Sequence, residues 1–95
     1  MPEMRFRIAW PDGSTESCYS PSLVIKDYFA VGQTYPLADF LARSRTALTI
    51  ASERVRAKYG YPCSRALAQL ARIEAASQQF ISITGVHVGV VAFED

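Results

Sequence analysis

One histidine and two cysteines are the only imidazole and thiol metal ligands in these 95 residues. A closed zinc site takes four ligands. His87, Cys18 and Cys63 fall short of that, so neither a metal nor a cofactor is expected. The cysteines lie far apart in sequence and read as thiols of a reducing compartment rather than as a disulfide. The chain also lacks a glycine-rich phosphate loop, a Ser/His/Asp set and paired carboxylates in a recognisable frame. No apolar run approaches the ~18 residues that a membrane helix needs. The opening residues Met1-Pro2-Glu3-Met4-Arg5 carry no apolar signal-peptide core. The expectation is a cytoplasmic protein with no membrane partner. Charge of one sign is scarce too. The net charge is +1, too little to read as a nucleic-acid binder.

Hydrophobic residues are present at 49%, which excludes disorder. Residues 1–95 form one domain on length grounds. A chain of this size buries roughly two thirds of its unfolded surface without disulfide or metal support. The small charge is unevenly spread. Residues 36–80 hold seven Lys/Arg against three acids, and the remainder three against six. A molecule with that dipole favours a charged partner on its helical side.

The stretch that organises the rest is Pro36 to Gly60, which reads as one long helix. Pro36 suits the first helical position and Gly60 the stop. Leu37, Leu41, Ser44, Leu48, Ala51, Val55 and Tyr59 recur on one face, widened by Phe40 and Ala47. Tyr61-Pro62-Cys63 is a tight connection. Ser64 then caps a second helix to about Phe80, with Leu67, Leu70, Ile73, Ser77 and Phe80 inward. So short a link makes the helices antiparallel neighbours.

Met4 to Trp10 alternates as a half-buried strand. Pro11-Asp12-Gly13 reverses it, and Ser14 to Tyr19 returns as a second strand. Leu23 to Phe29 reads either as a short helix or as an extended edge segment. Val31 to Tyr35 reads as a loop. Val86 to Phe93, rich in valine, is the last strand. Val86, Val88, Val90 and Ala92 face one way, and His87, Gly89, Val91 and Phe93 the other. The expected fold is α+β: a three-stranded antiparallel sheet, order 2-1-3, packed on a two-helix antiparallel hairpin. Arg5, Arg7, His87, Val91 and Phe93 would line its open face. An apolar patch there would mark a homodimer contact.

Met1-Pro2-Glu3-Met4-Arg5-Phe6, Trp10-Pro11-Asp12-Gly13, Cys18-Tyr19-Ser20-Pro21-Ser22, Tyr35-Pro36-Leu37, Ala47-Leu48, Ala51-Ser52-Glu53-Arg54-Val55 and Cys63-Ser64-Arg65-Ala66 span nearly the whole length. Through these residues the chain resembles a small bacterial family of nitrogen-starvation-response proteins. The resemblance implies a setting beside a nitrilase, in a gene cluster for nitrile or cyanide nitrogen use. It supplies no catalytic residues.

Four groups of residues carry candidate chemistry. Cys63 lies at a helix start beside Arg65, a setting expected to favour thiolate. With Cys18, Ser64 and Arg65 it forms a candidate thiol or ligand site. The alternative is a pair of small buried hydrophobes. Arg43, Arg45, Arg54, Arg56 and Lys58 form a candidate docking surface for an acidic partner. They split into two flanks, Arg45 with Arg56 and Arg43 with Arg54 and Lys58. The alternative is a solvated helix face. Tyr19-Ser20-Pro21-Ser22 could hold a ligand by hydroxyls, or simply cap a turn. His87 has no partner at suggestive spacing. The first functional expectation is a non-enzymatic accessory protein that binds enzymes of the neighbouring gene cluster. The second is a small-molecule-binding module or minor enzyme built on Cys63 and Cys18. Nucleic-acid binding ranks below both, because the helix pair is a hairpin and not a helix-turn-helix.

Overall fold

The computed structural model describes residues 3–94. Alternation places Met4, Phe6 and Ile8 of strand β1 (Met4–Ala9) on the buried side. At the turn, the Trp10 N–H donates to Ser14 O at 2.8 Å and the Gly13 N–H to Trp10 O at 2.9 Å. Gly13 has φ +90 there, open to glycine at no Cβ cost. The Asp12 carboxylate accepts from the Ser14 hydroxyl at 2.6 Å and the Ser14 N–H at 3.0 Å. Those bonds, the hydroxyl's first, hold its pKa below the ordinary carboxylate value. Strand β2 (Thr15–Ser20) then pairs back on β1, with Arg5 opposite Tyr19.

The sheet has four strands, which corrects the expected three. Its order is β2-β1-β4-β3, antiparallel throughout. The last strand, β4 (His87–Glu94), does lie beside β1, as the apolar pattern requires. The added strand is β3 (Thr34–Pro36), from the stretch that reads as a loop and a first helical turn. Gly32 turns the chain at φ +86. Its N–H bonds Val90 O at 2.9 Å, and the Val90 N–H bonds Gln33 O at 3.0 Å. These bonds lay residues 34–36 along β4. Pro36 ends the strand because it has no N–H to donate, and it blunts the sheet edge. Pro36 is therefore the residue before the helix and not its first turn.

Three helices cover one face: α1 (Ile25–Tyr28), α2 (Leu37–Tyr59) and α3 (Ser64–Ser77), the last tightening into a 3-10 turn at Gln78–Phe80. No helix of the described residues is long and apolar enough to cross a membrane. Gly60 stops α2 at φ +88, its N–H on Arg56 O at 2.8 Å. Cys63, not Ser64, is the residue flanking α3, and no side chain caps it. The Cys63 N–H is held instead by Ser52 Oγ of α2 at 3.2 Å. The inward stripe of α2 holds from Leu37 to Ser52. Val55 is only half-buried and Tyr59 is 52% exposed, because the last turns run past the sheet. On α3, Ala66, Ile73 and Ser77 are buried, whereas Leu67, expected inward, is 44% exposed. The cause is that α3 leans on the edge of β2. The Tyr19 N–H donates to Gln69 Oε1 at 3.0 Å, and Arg72 reaches Glu16 at 2.8 Å. A helix over an edge strand removes its free donors from solution.

Between Arg7 and Ile8 the β1–β4 register shifts. Ile8 faces Val90, Arg7 faces Ala92, and Val91 is the extra residue. A bulge moves every later side chain to the other face. Phe93 consequently lies opposite Phe6 and packs on the core, with Lys26 Nζ 5.9 Å from its ring. The open face expected to hold Phe93 instead carries Arg5, Arg7 and Glu94, with Arg7 and Glu94 3.5 Å apart. The apolar contact on which a homodimer through that face was to rest is reduced to Val91, 46% exposed.

Ser44 sits at the centre of the α2 stripe, and its Oγ is buried with no partner among the described residues. Ser44→Ala removes that stranded hydroxyl and improves helix propensity. A gain of about 0.5–1.5 kcal/mol is expected from those two effects. Urea unfolding checks it, and a loss of stability would mean that the hydroxyl has a partner.

Candidate functional site

Tyr19, on the edge strand β2, pairs directly across from Arg5 on β1. Arg65, in the first turn of α3, lays its guanidinium over the Tyr19 ring at 3.9 Å from the centroid. The Arg5 guanidinium lies 6.0 Å from the same centroid. Both contacts place a cation by the electron-rich face of a phenol. Glu3 approaches from the end of the sheet, 3.9 Å from Arg65. The Tyr19 hydroxyl is pushed above its ordinary pKa, first by burial and next by a hydrogen bond with the Glu3 carboxylate, against the pull of Arg65.

Three hollows share this ring. The first, about 320 Å³, is lined by Arg5, Tyr19, Arg65, Ala68, Gln69 and Arg72. The second, about 200 Å³, is lined by Glu3, Tyr19, Pro21, Val55, Tyr59 and Cys63. The third, about 90 Å³, lies between Glu3, Met4, Arg5 and Tyr19. Strand β2, the end of α2 and the start of α3 thus converge on one aromatic side chain.

Of the candidate thiol site, Cys63 and Arg65 come to this surface, and Ser64 is exposed between them. Cys18 does not. It points under the sheet into the core and is fully buried. Burial pushes its pKa up to about 12, with the Glu16 charge adding and Arg72 opposing. The hollow that Cys63 lines does not include Cys18 among its described lining residues. The hydroxyls of the Tyr19-Ser20-Pro21-Ser22 stretch are spent internally. Ser20 Oγ donates to Ser22 O at 2.7 Å, and Ser22 Oγ accepts from the Val24 N–H at 3.3 Å and from Arg54 at 3.0 Å.

The helix cations are not brought together. Arg43 lies over Tyr35, 4.9 Å away, and donates to Asp39 at 2.9 Å and Tyr28 O at 2.7 Å. Arg45 bonds Glu74 of α3 at 3.2 Å, while Arg54 fastens the Ser22 turn. Arg56 and Lys58 stay near their own helix, beside Glu53 at 3.9 Å and the Tyr59 ring at 5.6 Å. His87 is exposed, with Nδ1 3.0 Å from Gly85 O. It lines a hollow of about 650 Å³ between the start of α2 and Ile81, Ile83 and Val86. Among the described residues no His/Cys/Asp/Glu group is placed to hold a metal.

Sequence reasoning missed Arg5, Gln69, Arg72, Glu3 and Tyr59. Two signals were available. A hairpin centred on Asp12 puts Arg5 opposite Tyr19. Arg65, Gln69 and Arg72 fall on one helical face by spacing.

The fold and this surface define a small α+β protein with one helical layer on an antiparallel sheet and a tyrosine clasped by arginines. Its family follows from comparison. The model of the nitrogen starvation-induced protein NitG family matches residues 5–93, and the chain belongs to that family. That family is described as induced by nitrogen starvation. No curated protein and no solved structure matches the chain.

Proposed function

We propose that this chain is a non-enzymatic accessory protein of the nitrogen-starvation response, and that it works by docking an enzyme of nitrile or cyanide nitrogen assimilation on its Tyr19 surface. The convergence of three hollows on one ring flanked by two guanidinium groups carries this reading. Tyrosine and arginine dominate the energetic centres of protein interfaces. They combine large rigid contact area with directional donors. Cys18 lies in the core and apart from Cys63, which argues against a two-thiol catalytic site.

The test is titration of the full chain against the purified nitrilase and the other enzymes of that route. Binding is expected, and Tyr19→Ala is expected to weaken it about 30-fold, the scale of an interface hot spot. A chain that binds none of these enzymes contradicts the reading.

A second reading rests on Cys63, which opens into the hollow beside Tyr19 and Tyr59. There the chain would bind a small electrophilic ligand, such as a nitrile, through that thiol. A small nitrile that slows alkylation of Cys63 supports it; unchanged alkylation removes it.

A further inference from the structure

We infer that the cleft between β2 and α3 recognises carboxylate groups, and that its occupant is an acidic peptide segment of the docked partner. The inference rests on the partner-docking reading above. Three guanidinium groups rim the cleft, those of Arg5, Arg65 and Arg72. Arg5 is in no ion pair among the described residues. Arg65 meets Glu3 only at 3.9 Å, and both side chains are largely exposed. Because Arg65 lies over the Tyr19 ring, its N–H edge is free to form the paired bonds that suit a carboxylate. Arg72 gives its Nε to Glu16, which fixes the guanidinium at the cleft wall. At the base, Gln69 Oε1 is taken by the Tyr19 N–H, and Gln69 Nε2 is buried with no partner among the described residues. A buried donor without an acceptor is costly, and a carboxylate oxygen lodged there would satisfy it.

Charge and shape select the occupant. Arg5, Arg65 and Arg72, with the neighbouring Arg7, face the three nearby acids Glu3, Glu16 and Glu94, leaving one positive charge among the described residues. One carboxylate of the peptide lodged in the cleft balances that charge, with the peptide's other carboxylates left outside in water, whereas a phosphate dianion puts both of its charges in the cleft and exceeds it. The rim side chains Arg65 and Arg72 are mostly solvent-exposed, whereas small-molecule sites bury most of their ligand. A carboxylate tethered to a chain already held at Tyr19 gains effective concentration that a free acid lacks.

The experiment uses the full chain labelled with nitrogen-15. A capped tetraglutamate peptide, a capped tetraglutamine peptide, acetate and inorganic phosphate are titrated in turn. Tetraglutamate is expected to shift the Tyr19 amide, the Gln69 side-chain amide and the Arg65 Nε–H. Arg65→Gln and Arg5→Gln are each expected to weaken binding about tenfold, the loss of one charge-assisted pair. Both side chains are exposed, so the variants keep the fold. Equal binding of tetraglutamine, shifts elsewhere, or unchanged affinity in both variants overturns the inference. So does acetate binding as tightly as the peptide, or phosphate binding more tightly. If the nitrilase route's enzymes bind and depend on Tyr19 but not on Arg5 or Arg65, the docking reading stands and the carboxylate cleft falls.

Discussion

Phe40→Ala is expected to lower the unfolding free energy by about 3–5 kcal/mol, the cost of deleting a buried aromatic ring. Phe40 is fully buried on the first turns of α2. Its ring lies 5.4 Å from Phe29 and 5.8 Å from Trp10. Phe29 in turn meets Phe6 at 6.1 Å and Tyr35 at 5.2 Å, and Trp10 stacks on Phe80 at 6.0 Å. Phe40 therefore joins two aromatic groups, one at β1, α1 and β3 and one at the hairpin turn and the 3-10 turn. Its loss leaves a cavity between them, and helix α2 loses its grip on the sheet. Small domains have about 5–15 kcal/mol in all, so this one change removes a large share. The midpoint temperature should drop on the order of 20 °C, at about 4–8 °C per kcal/mol for this size. Trp10, the single tryptophan, reports the transition by fluorescence. Tyr59→Ala, at an exposed site on the same helix, should change stability by less than about 0.5 kcal/mol. A loss below 1 kcal/mol for Phe40→Ala would show that the two groups do not depend on that ring.

The second large effect separates the two thiols. Cys63 is partly exposed and Cys18 is buried in the core. Alkylation of Cys18 in the native chain must wait for unfolding, whereas Cys63 reacts from the folded state. At about 5 kcal/mol of stability or more, Cys18 should label at least ~10³-fold more slowly. Its raised pKa adds a pH effect of defined sign. The folded chain keeps the proton on Cys18 up to about 12, while the ordinary thiol value is 9.0. Below 9 both states are protonated and pH has no effect through this group. Between 9 and about 12 the unfolded state loses the proton first, so stability falls as pH rises. The slope due to this thiol approaches about 1.4 kcal/mol per pH unit. Cys18→Ala should therefore show a shallower decline than the parent over that range, whatever its stability at pH 7. Equal labelling of both cysteines, or identical slopes, would place Cys18 outside the core.

Local chemistry explains what the chain discloses in advance and what it withholds. Alternation over Met4–Trp10 and the Pro11-Asp12-Gly13 turn fix the hairpin, because both signals act within a few residues. The three-to-four spacing from Leu37 and the glycine at 60 fix α2 for the same reason. Strand β3 was not legible, because three residues ending in proline form a strand only when β4 supplies the partner. Phe93 was misplaced by one insertion at Val91, since a bulge is set by pairing with β1 and leaves no periodic trace. At the site, Cys63 and Arg65 were visible from the helix start. Arg5, Gln69 and Arg72 were not, because the packing of α3 on the β2 edge is a tertiary choice. The helix cations gain intrachain partners that spacing does not reveal: Arg43, Arg45 and Arg54 are each bonded to a neighbouring group of this same chain.

Hydrogen–deuterium exchange of the full chain, alone and with a nitrilase of the proposed assimilation route, bears most directly on the proposal that the Tyr19 surface is a docking face. Slowed exchange is expected at Tyr19 and across residues 64–70 of α3. Slowed exchange confined to Leu37, Ile81 and Ile83, or none anywhere, would contradict it.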